Sequence, residues 1–239
     1  MTENQEPKAI LFLDFDGTIS RRDAVDAILE TYADPQWLTL EAEWRAGRIG
    51  SRVCLSSQMA LVRAPRQHVE ALLDEIEIDE GLAKLLQLCQ AHSVPVQIIS
   101  DGFDYCISRI LARVGYEVGS LIRGVCAAHL ELQDHHWRTE FPFFHQSCAH
   151  GCATCKPAVM RLLNSTNAPA VFVGDGLSDR YAVESADLVF AKTELADYCR
   201  DNSIAHTPYR NLGEVAIQLD RWLVSHRFLK VERKTRVSA

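Results

Sequence analysis

The sequence predicts an α/β fold, a doubly wound parallel sheet with a helical segment inserted after its first strand. Two observations predict it. Short apolar runs suited to buried strands recur along the chain, separated by stretches with the 3.6-residue period of amphipathic helices. Three of these runs end in clusters of Asp, Ser and Gly, and an open parallel sheet carries its ligands at the carboxyl ends of its strands. With 239 residues, 47% of them hydrophobic, the chain has room for one sizeable core and a smaller attached unit.

Residues 9–13 (AILFL) read as the first strand, followed by Asp14-Phe15-Asp16-Gly17-Thr18. Gly17 permits a sharp turn there and Thr18 offers a hydroxyl. A calcium loop would need a bidentate Glu and further oxygen ligands downstream, and Ile19-Ser20-Arg21-Arg22 supplies neither. Residues 20–78 read as helical, punctuated by Pro35 and Gly47, and are assigned to an inserted cap. That leaves residues 1–19 and 79–239 for the core domain. Trp37 and Trp44 are expected to pack between the inserted helices.

After a helix over residues 82–88, residues 94–99 form the second strand, ending in Ser100-Asp101-Gly102-Phe103. A helix over about 104–114 follows. Residues 119–144 alternate in short segments with turn-like Asp134 and Pro142, which predicts a β-hairpin excursion from the main sheet. A helix begins at Lys156 with Pro157 at an early position. The third strand, residues 170–173, runs into Gly174-Asp175-Gly176-Leu177-Ser178-Asp179, and residues 188–191 form a fourth. The basic tail after Leu229 reads as a frayed terminus.

Charge and composition narrow the function. A net charge of -7 leaves no basic surplus to neutralise phosphates, so nucleic acid is not an expected partner. No apolar run approaches the length of a membrane span, and the first residues lack a signal-peptide pattern. Most of the eight cysteines sit singly in apolar or helical contexts, as reduced thiols do, and the expected location is cytoplasmic. Periodicity does not separate an exposed apolar face from a core face, so a homodimer stays open.

The three strand-end clusters would share one rim of the sheet, with Lys156 close by. Asp14, Asp16, Asp175 and Asp179 converging there would repel one another and raise each other's pKa values. A hard divalent cation relieves that, and oxygen-only ligands favour Mg²⁺. Ser100, the backbone N–H groups around Asp101 and Gly102, and Lys156 are donors suited to phosphate oxygens. Such a site suits phosphoryl transfer through an aspartyl-phosphate.

DFDGT after a strand, a strand ending in Ser100, Lys156 downstream and GDGLSD together resemble the haloacid dehalogenase superfamily, in that family's order from Asp14 to Asp179. The resemblance implies Asp14 as nucleophile and Asp16 as the acid that protonates the leaving oxygen and then activates water. It implies Mg²⁺ held by Asp14, the Asp16 carbonyl and Asp175, with Asp179 supporting the metal or Lys156, and Ser100 and Lys156 holding the phosphoryl group. Thr18, Asp101, Gly102 and Asp23 join the predicted substrate- and phosphate-binding set.

The helical insertion resembles the cap class shared with phosphoserine phosphatase. Asp23, however, stands where that branch reads Glu. Cys152-Ala153-Thr154-Cys155-Lys156-Pro157 and His206-Thr207-Pro208-Tyr209 are similar to the methionine-salvage branch, which acts on 2-hydroxy-3-keto-5-methylthiopentenyl-1-phosphate. The expected partner is therefore a small phosphorylated metabolite. Phosphoserine, phosphoethanolamine or phosphocholine as substrate, and transfer of the phosphoryl group to an alcohol, are the alternatives. Asp23, Arg45, Arg48 and Arg52 are the candidates for specificity. His145, Cys148, Cys152 and Cys155 form a candidate Zn²⁺ set, weighed against a loop of reduced thiols presenting Lys156. A zinc-linked interaction protein with an inactive core is disfavoured, because no expected catalytic position is substituted.

Overall fold

The structure is a computed structural model that describes residues 7–133 and 136–237. One seven-stranded sheet runs in the order β4-β3-β2-β1-β5-β6-β7. Its strands are β1 (Ile10–Leu13), β2 (Val96–Phe103), β3 (Ile122–Gln133), β4 (His136–Glu140), β5 (Ala170–Gly174), β6 (Leu188–Ala191) and β7 (Thr207–Pro208). Every neighbouring pair is parallel except β3 with β4. The alternation of a strand sorts its side chains onto two faces, and both faces are covered. Leu11, Leu13, Val171 and Val173 enter one apolar layer, whereas Ile10, Phe12, Ala170 and Phe172 enter the other.

Four helices lie between the first strand and residue 78: α1 (Ala24–Tyr32), α2 (Trp37–Arg45), α3 (Ser51–Met59) and α4 (Arg66–Glu75). Asp23 starts α1 by accepting the Val25 and Asp26 N–H groups. The two ends of this stretch run side by side. Ser20 bridges Ile78, Arg21 N–H donates to the Glu77 carbonyl at 2.8 Å, and Asp79 N–H donates to the Ile19 carbonyl at 2.8 Å. The remaining helices are α5 (Leu82–Ala91), α6 (Asp104–Leu111), α7 (Tyr116–Gly119), α8 (Lys156–Leu163), α9 (Thr193–Asp201) and α10 (Leu212–Val237).

Four details differ from the sequence expectation. The second strand does not stop at Ile99 but continues to Phe103, with a register irregularity against β3 between Ile99 and Phe103. The segment expected to leave the sheet as a hairpin instead begins within it, because β3 pairs with β2 before it meets β4. Strand β7 has only two residues, too few to carry a periodic signal. The basic tail continues α10 as far as Val237. The expected turn at Asp134 and the neighbouring His135 lie outside the described residues.

Helix α5 reaches α10 through a backbone contact at Gly81, where a Cβ would collide with the Gly213 nitrogen and stand 2.6 Å from the Leu212 carbonyl carbon. Asp79 ties the same point by accepting the Gly81 and Leu212 N–H groups. Gly81→Ala is therefore expected to lower stability by about 1–3 kcal/mol in urea unfolding, the usual cost of overpacking a filled site.

Candidate active site

Parallel pairing brings the ends of β1, β2 and β5 to one rim, and the polar residues within or just beyond those ends meet there. Asp14 leaves β1 with its N–H donating to the Val173 carbonyl at 2.9 Å. Lys156, the first residue of α8, is 1% exposed and donates to Asp14 Oδ1 at 2.6 Å and to Asp179 Oδ1 at 2.5 Å. The other oxygen of Asp179 accepts the Asp175 and Gly176 N–H groups at 3.0 and 3.3 Å. Asp179 thus anchors both Lys156 and the loop after β5.

Asp16 and Gly102 approach so closely that a Cβ on Gly102 would collide with Asp16 Oδ2. Asp16 Oδ1 accepts the Ala24 N–H at 2.8 Å. Ser100 Oγ accepts the Gly102 N–H at 2.9 Å, so its own proton remains for a ligand. Gly17 adopts φ +71°, a left-handed conformation, and Asp175 packs directly on its α-carbon. Thr18 donates to Asp175 Oδ1 at 2.9 Å.

Burial shapes the charges. It works against the Lys156 ammonium, but the Asp14, Asp179 and Asp101 carboxylates outweigh it and hold the lysine protonated. Burial and then the Asp179 carboxylate push Asp14 upward against the pull of Lys156. Burial and the Asp23 carboxylate raise Asp16 well above the ordinary carboxylate range. Asp175 is pushed up to about 7 by burial and Asp179.

Asp14, Asp175 and Asp179 each offer a carboxylate oxygen within 4.8 Å of the others, and among the described residues they are the only such metal-ligating group. Asp14 and Asp175, both pushed up by burial and by the Asp179 carboxylate, offer oxygen ligands of the kind that fit Mg²⁺. Zinc finds no support. His145 Nδ1 is paired with Ser147 Oγ at 3.1 Å, and Cys148, Cys152 and Cys155 do not join a ligand group.

The predicted residues divide by what they touch. Asp14, Asp16, Ser100, Gly102 and Asp175 line one cavity of about 280 Å³, with Lys156 and Thr18 directly behind them. Asp101 lines it too, but both its oxygens are taken. Ser51 Oγ donates to one at 2.5 Å and the Thr154 N–H to the other at 3.0 Å, so this carboxylate serves the loop before Lys156. Asp23 faces the cavity while capping α1. Of the predicted arginines only Arg45 lines the cavity. Arg48 pairs with Glu43 at 2.6 Å, and Arg52 lies over the Phe144 ring at 4.7 Å. Trp37 packs on the core as expected, whereas Trp44 lines the cavity.

Several residues escaped the sequence reading, among them the cavity-lining Asp26, Glu41 and Glu194 and two that link segments. Ser51, on α3, accepts the Ala153 N–H at 2.9 Å and so joins the insertion to the lysine loop. A lone Ser at a helix start carries no sequence signal for that. Tyr209, whose hydroxyl lies 3.3 Å from Thr18 Oγ1, belongs to a segment marked only by its resemblance to one branch.

A model for haloacid dehalogenase-like hydrolases matches residues 11–184. The 2-hydroxy-3-keto-5-methylthiopentenyl-1-phosphate phosphatase of Bacillus pumilus (strain SAFR-032) is 25% identical over 217 residues, covering 90% of this chain and 92% of its own. The protein of the same name from Geobacillus thermodenitrificans (strain NG80-2) is 26% identical over 215 residues, covering 89% and 96%. Among solved structures, a HAD family hydrolase of Salmonella enterica subsp. enterica serovar Typhi superposes with a TM-score of 0.68 at 19% identity, covering 87% of this chain and 70% of that one. A phosphoserine phosphatase with a phospho-aspartyl intermediate analogue gives 0.61 at 20%, covering 81% and 91%. At these identities the structural likeness is one of fold.

The close approach at Gly102 makes a sharp test of the geometry. Gly102→Ala is expected to displace the Asp16 carboxyl and, if that group takes part in the reaction, to lower turnover on the order of 10²-fold, the cost of a misplacement of about 1 Å. The far-ultraviolet circular dichroism of the variant should match the parent.

Proposed function

The chain belongs to the haloacid dehalogenase-like hydrolases and is a phosphatase of that family, and from this premise we propose that it is a Mg²⁺-dependent phosphomonoesterase acting through a phosphorylated Asp14. One observation carries the reading. A buried carboxylate held by Lys156 and a second carboxyl raised to retain its proton, Asp16, face the same cavity.

Asp14 Oδ1 is occupied by Lys156, so its second oxygen is the nucleophile toward phosphorus. As the P–O bond to the leaving group breaks, Asp16 gives its proton to that oxygen. Its raised pKa favours the protonated carboxyl that this role requires. Water then attacks phosphorus, its proton passes to the Asp16 carboxylate, and the bond to Asp14 breaks to release phosphate. Lys156 and the Ser100 hydroxyl hold phosphoryl oxygens through charge-assisted and neutral hydrogen bonds. Asp14, Asp175 and the Asp16 carbonyl would hold Mg²⁺. Bound there, the ion supplies charge neutralisation between carboxylates and phosphate.

Residues 20–78 form the cap in this reading, entered and left side by side at the Ser20–Ile78 bridge, over a core of residues 1–19 and 79–239. The cap wall of the cavity bears on the substrate. Val25, Cys54, Leu55 and Trp44 offer apolar surface suited to a thioether tail. With the names of the relatives, this favours the methionine-salvage enol/keto phosphate. A second reading rests on charge. Asp23, Asp26, Glu41 and Glu194 line the same cavity, and Arg45, the one arginine lining it among the described residues, is already bonded to Glu194 at 2.7 Å and Glu41 at 3.2 Å. That excess of carboxylates favours an aminoalkyl phosphate such as phosphoethanolamine.

Phosphate release against a panel holding the salvage intermediate, phosphoserine, phosphoethanolamine and phosphocholine tests both. Turnover is expected to vanish with EDTA, return with Mg²⁺, and fall at least about 10³-fold in Asp14→Asn, which removes the nucleophile. Turnover that survives Asp14→Asn would remove the aspartyl-phosphate route. If the aminoalkyl reading is right, Glu41→Gln should raise KM for phosphoethanolamine while leaving KM for uncharged phosphomonoesters near the parent value.

A further inference from the structure

Asp175 is held from several sides. Its carboxylate packs on Gly17, and the Thr18 hydroxyl donates to Oδ1 at 2.9 Å. Behind Thr18 stands Tyr209, 4% exposed, which is far from both motifs in sequence. Its hydroxyl lies 3.3 Å from Thr18 Oγ1 and 3.2 Å from the carbonyl of Gly174, the residue before Asp175. One side chain therefore touches both the backbone that carries Asp175 and the hydroxyl that orients its carboxylate.

The proton count assigns the roles. Thr18 has one hydroxyl proton, and Asp175 takes it, so Oγ1 is left to accept. Tyr209 also has one proton, donated to the Gly174 carbonyl at 3.2 Å with Thr18 Oγ1 beside it at 3.3 Å. Shared with Oγ1, that proton polarises the Thr18 hydroxyl and strengthens its bond to Asp175. Burial pushes the Tyr209 hydroxyl far above its ordinary pKa, so it stays a neutral donor. The ring is fixed as well, with Lys192 Nζ 5.1 Å from its centroid.

Strand β7 delivers this residue. Thr207 pairs with Phe190 and Pro208 with Ala191, while Ala191 in turn pairs with Gly174. Two residues of pairing at the sheet edge are enough to set Tyr209 level with the end of β5. We propose that Tyr209 is a positioning residue that sets the affinity of the site for Mg²⁺, acting on Asp175 through Thr18 and the Gly174 carbonyl. The proposal rests on the phosphatase reading, in which Asp175 holds the metal. Partners that orient a metal-holding carboxylate typically account for 10–100-fold in affinity.

The test uses the full chain stripped with EDTA. Mg²⁺ is titrated without substrate, followed by the shift in unfolding temperature, and again through its half-saturating concentration for phosphate release. Tyr209→Phe, which removes only the hydroxyl, is expected to weaken both by about tenfold, with the metal-free unfolding temperature close to that of the parent. Thr18→Val should lose as much, Thr18→Ser should keep parental affinity, and the Tyr209→Phe/Thr18→Val pair should be weaker than Thr18→Val by less than the full Tyr209→Phe loss, because part of the Tyr209 effect passes through Thr18. Parental Mg²⁺ affinity in Tyr209→Phe overturns the proposal, as does full additivity of the two losses. A parent protein that neither binds Mg²⁺ nor needs it for turnover overturns the metal-dependent reading itself, and this inference with it.

Discussion

The buried ammonium of Lys156 is the constraint on which the rest of the rim depends. An isolated charge removed from water is prohibitively costly, so an ammonium at 1% exposure must sit against carboxylates, and those carboxylates must in turn be bonded. Asp14 and Asp179 meet the first demand. The second propagates outward. The free oxygen of Asp179 takes the amides after β5, and Asp101 takes the Thr154 amide just before the lysine. The loop from β5 and the loop into α8 are therefore set by the same charge.

The link continues into the helices between β1 and β2. Ser51 on α3 donates to Asp101 and accepts from Ala153, so the inserted segment and the lysine loop share one hydrogen-bonded junction. Arg45 adds a second crossing by reaching Glu194 at the start of α9. Exposed ion pairs contribute little to stability. The value of this one is its place at the cavity wall, where it removes the only arginine from a surface otherwise rich in carboxylate. Closeness without side chains matters as much. Gly17 and Gly102 let Asp175 and Asp16 approach the backbone to distances that no Cβ allows.

Much of this was legible in the linear chain because it is local. Strands β1, β5 and β6 are short continuous apolar runs, fully or nearly fully buried, and such runs declare themselves by composition. The paired carboxylates, Ser100 and Lys156 are legible because each stands at the end of an apolar run or opens a helix. Most of the misses are non-local. Arg52 is drawn to Phe144, 92 positions away, and Trp44 lines a cavity built mainly from distant segments, whereas Arg48 turns to Glu43 only five positions away. The extension of β2 through Ser100 comes from its neighbour β3, against which the register shifts.

The sequence by itself determined the central strands β1, β2, β5 and β6, the order of the chemical motifs and the identity of the groups that meet at the rim. Apolar periodicity and strand-end polarity are properties of adjacent residues. Tertiary structure alone decided which carboxylates are free and which are occupied. Asp101 and Asp179 have the same chemistry as Asp14 and Asp16, yet their oxygens are consumed by partners 50 and 23 positions away. It also brought Tyr209 to Thr18 across a separation of 191 positions. Such pairings follow from chain crossings that close only when the sheet is assembled, and no short window of sequence contains both partners.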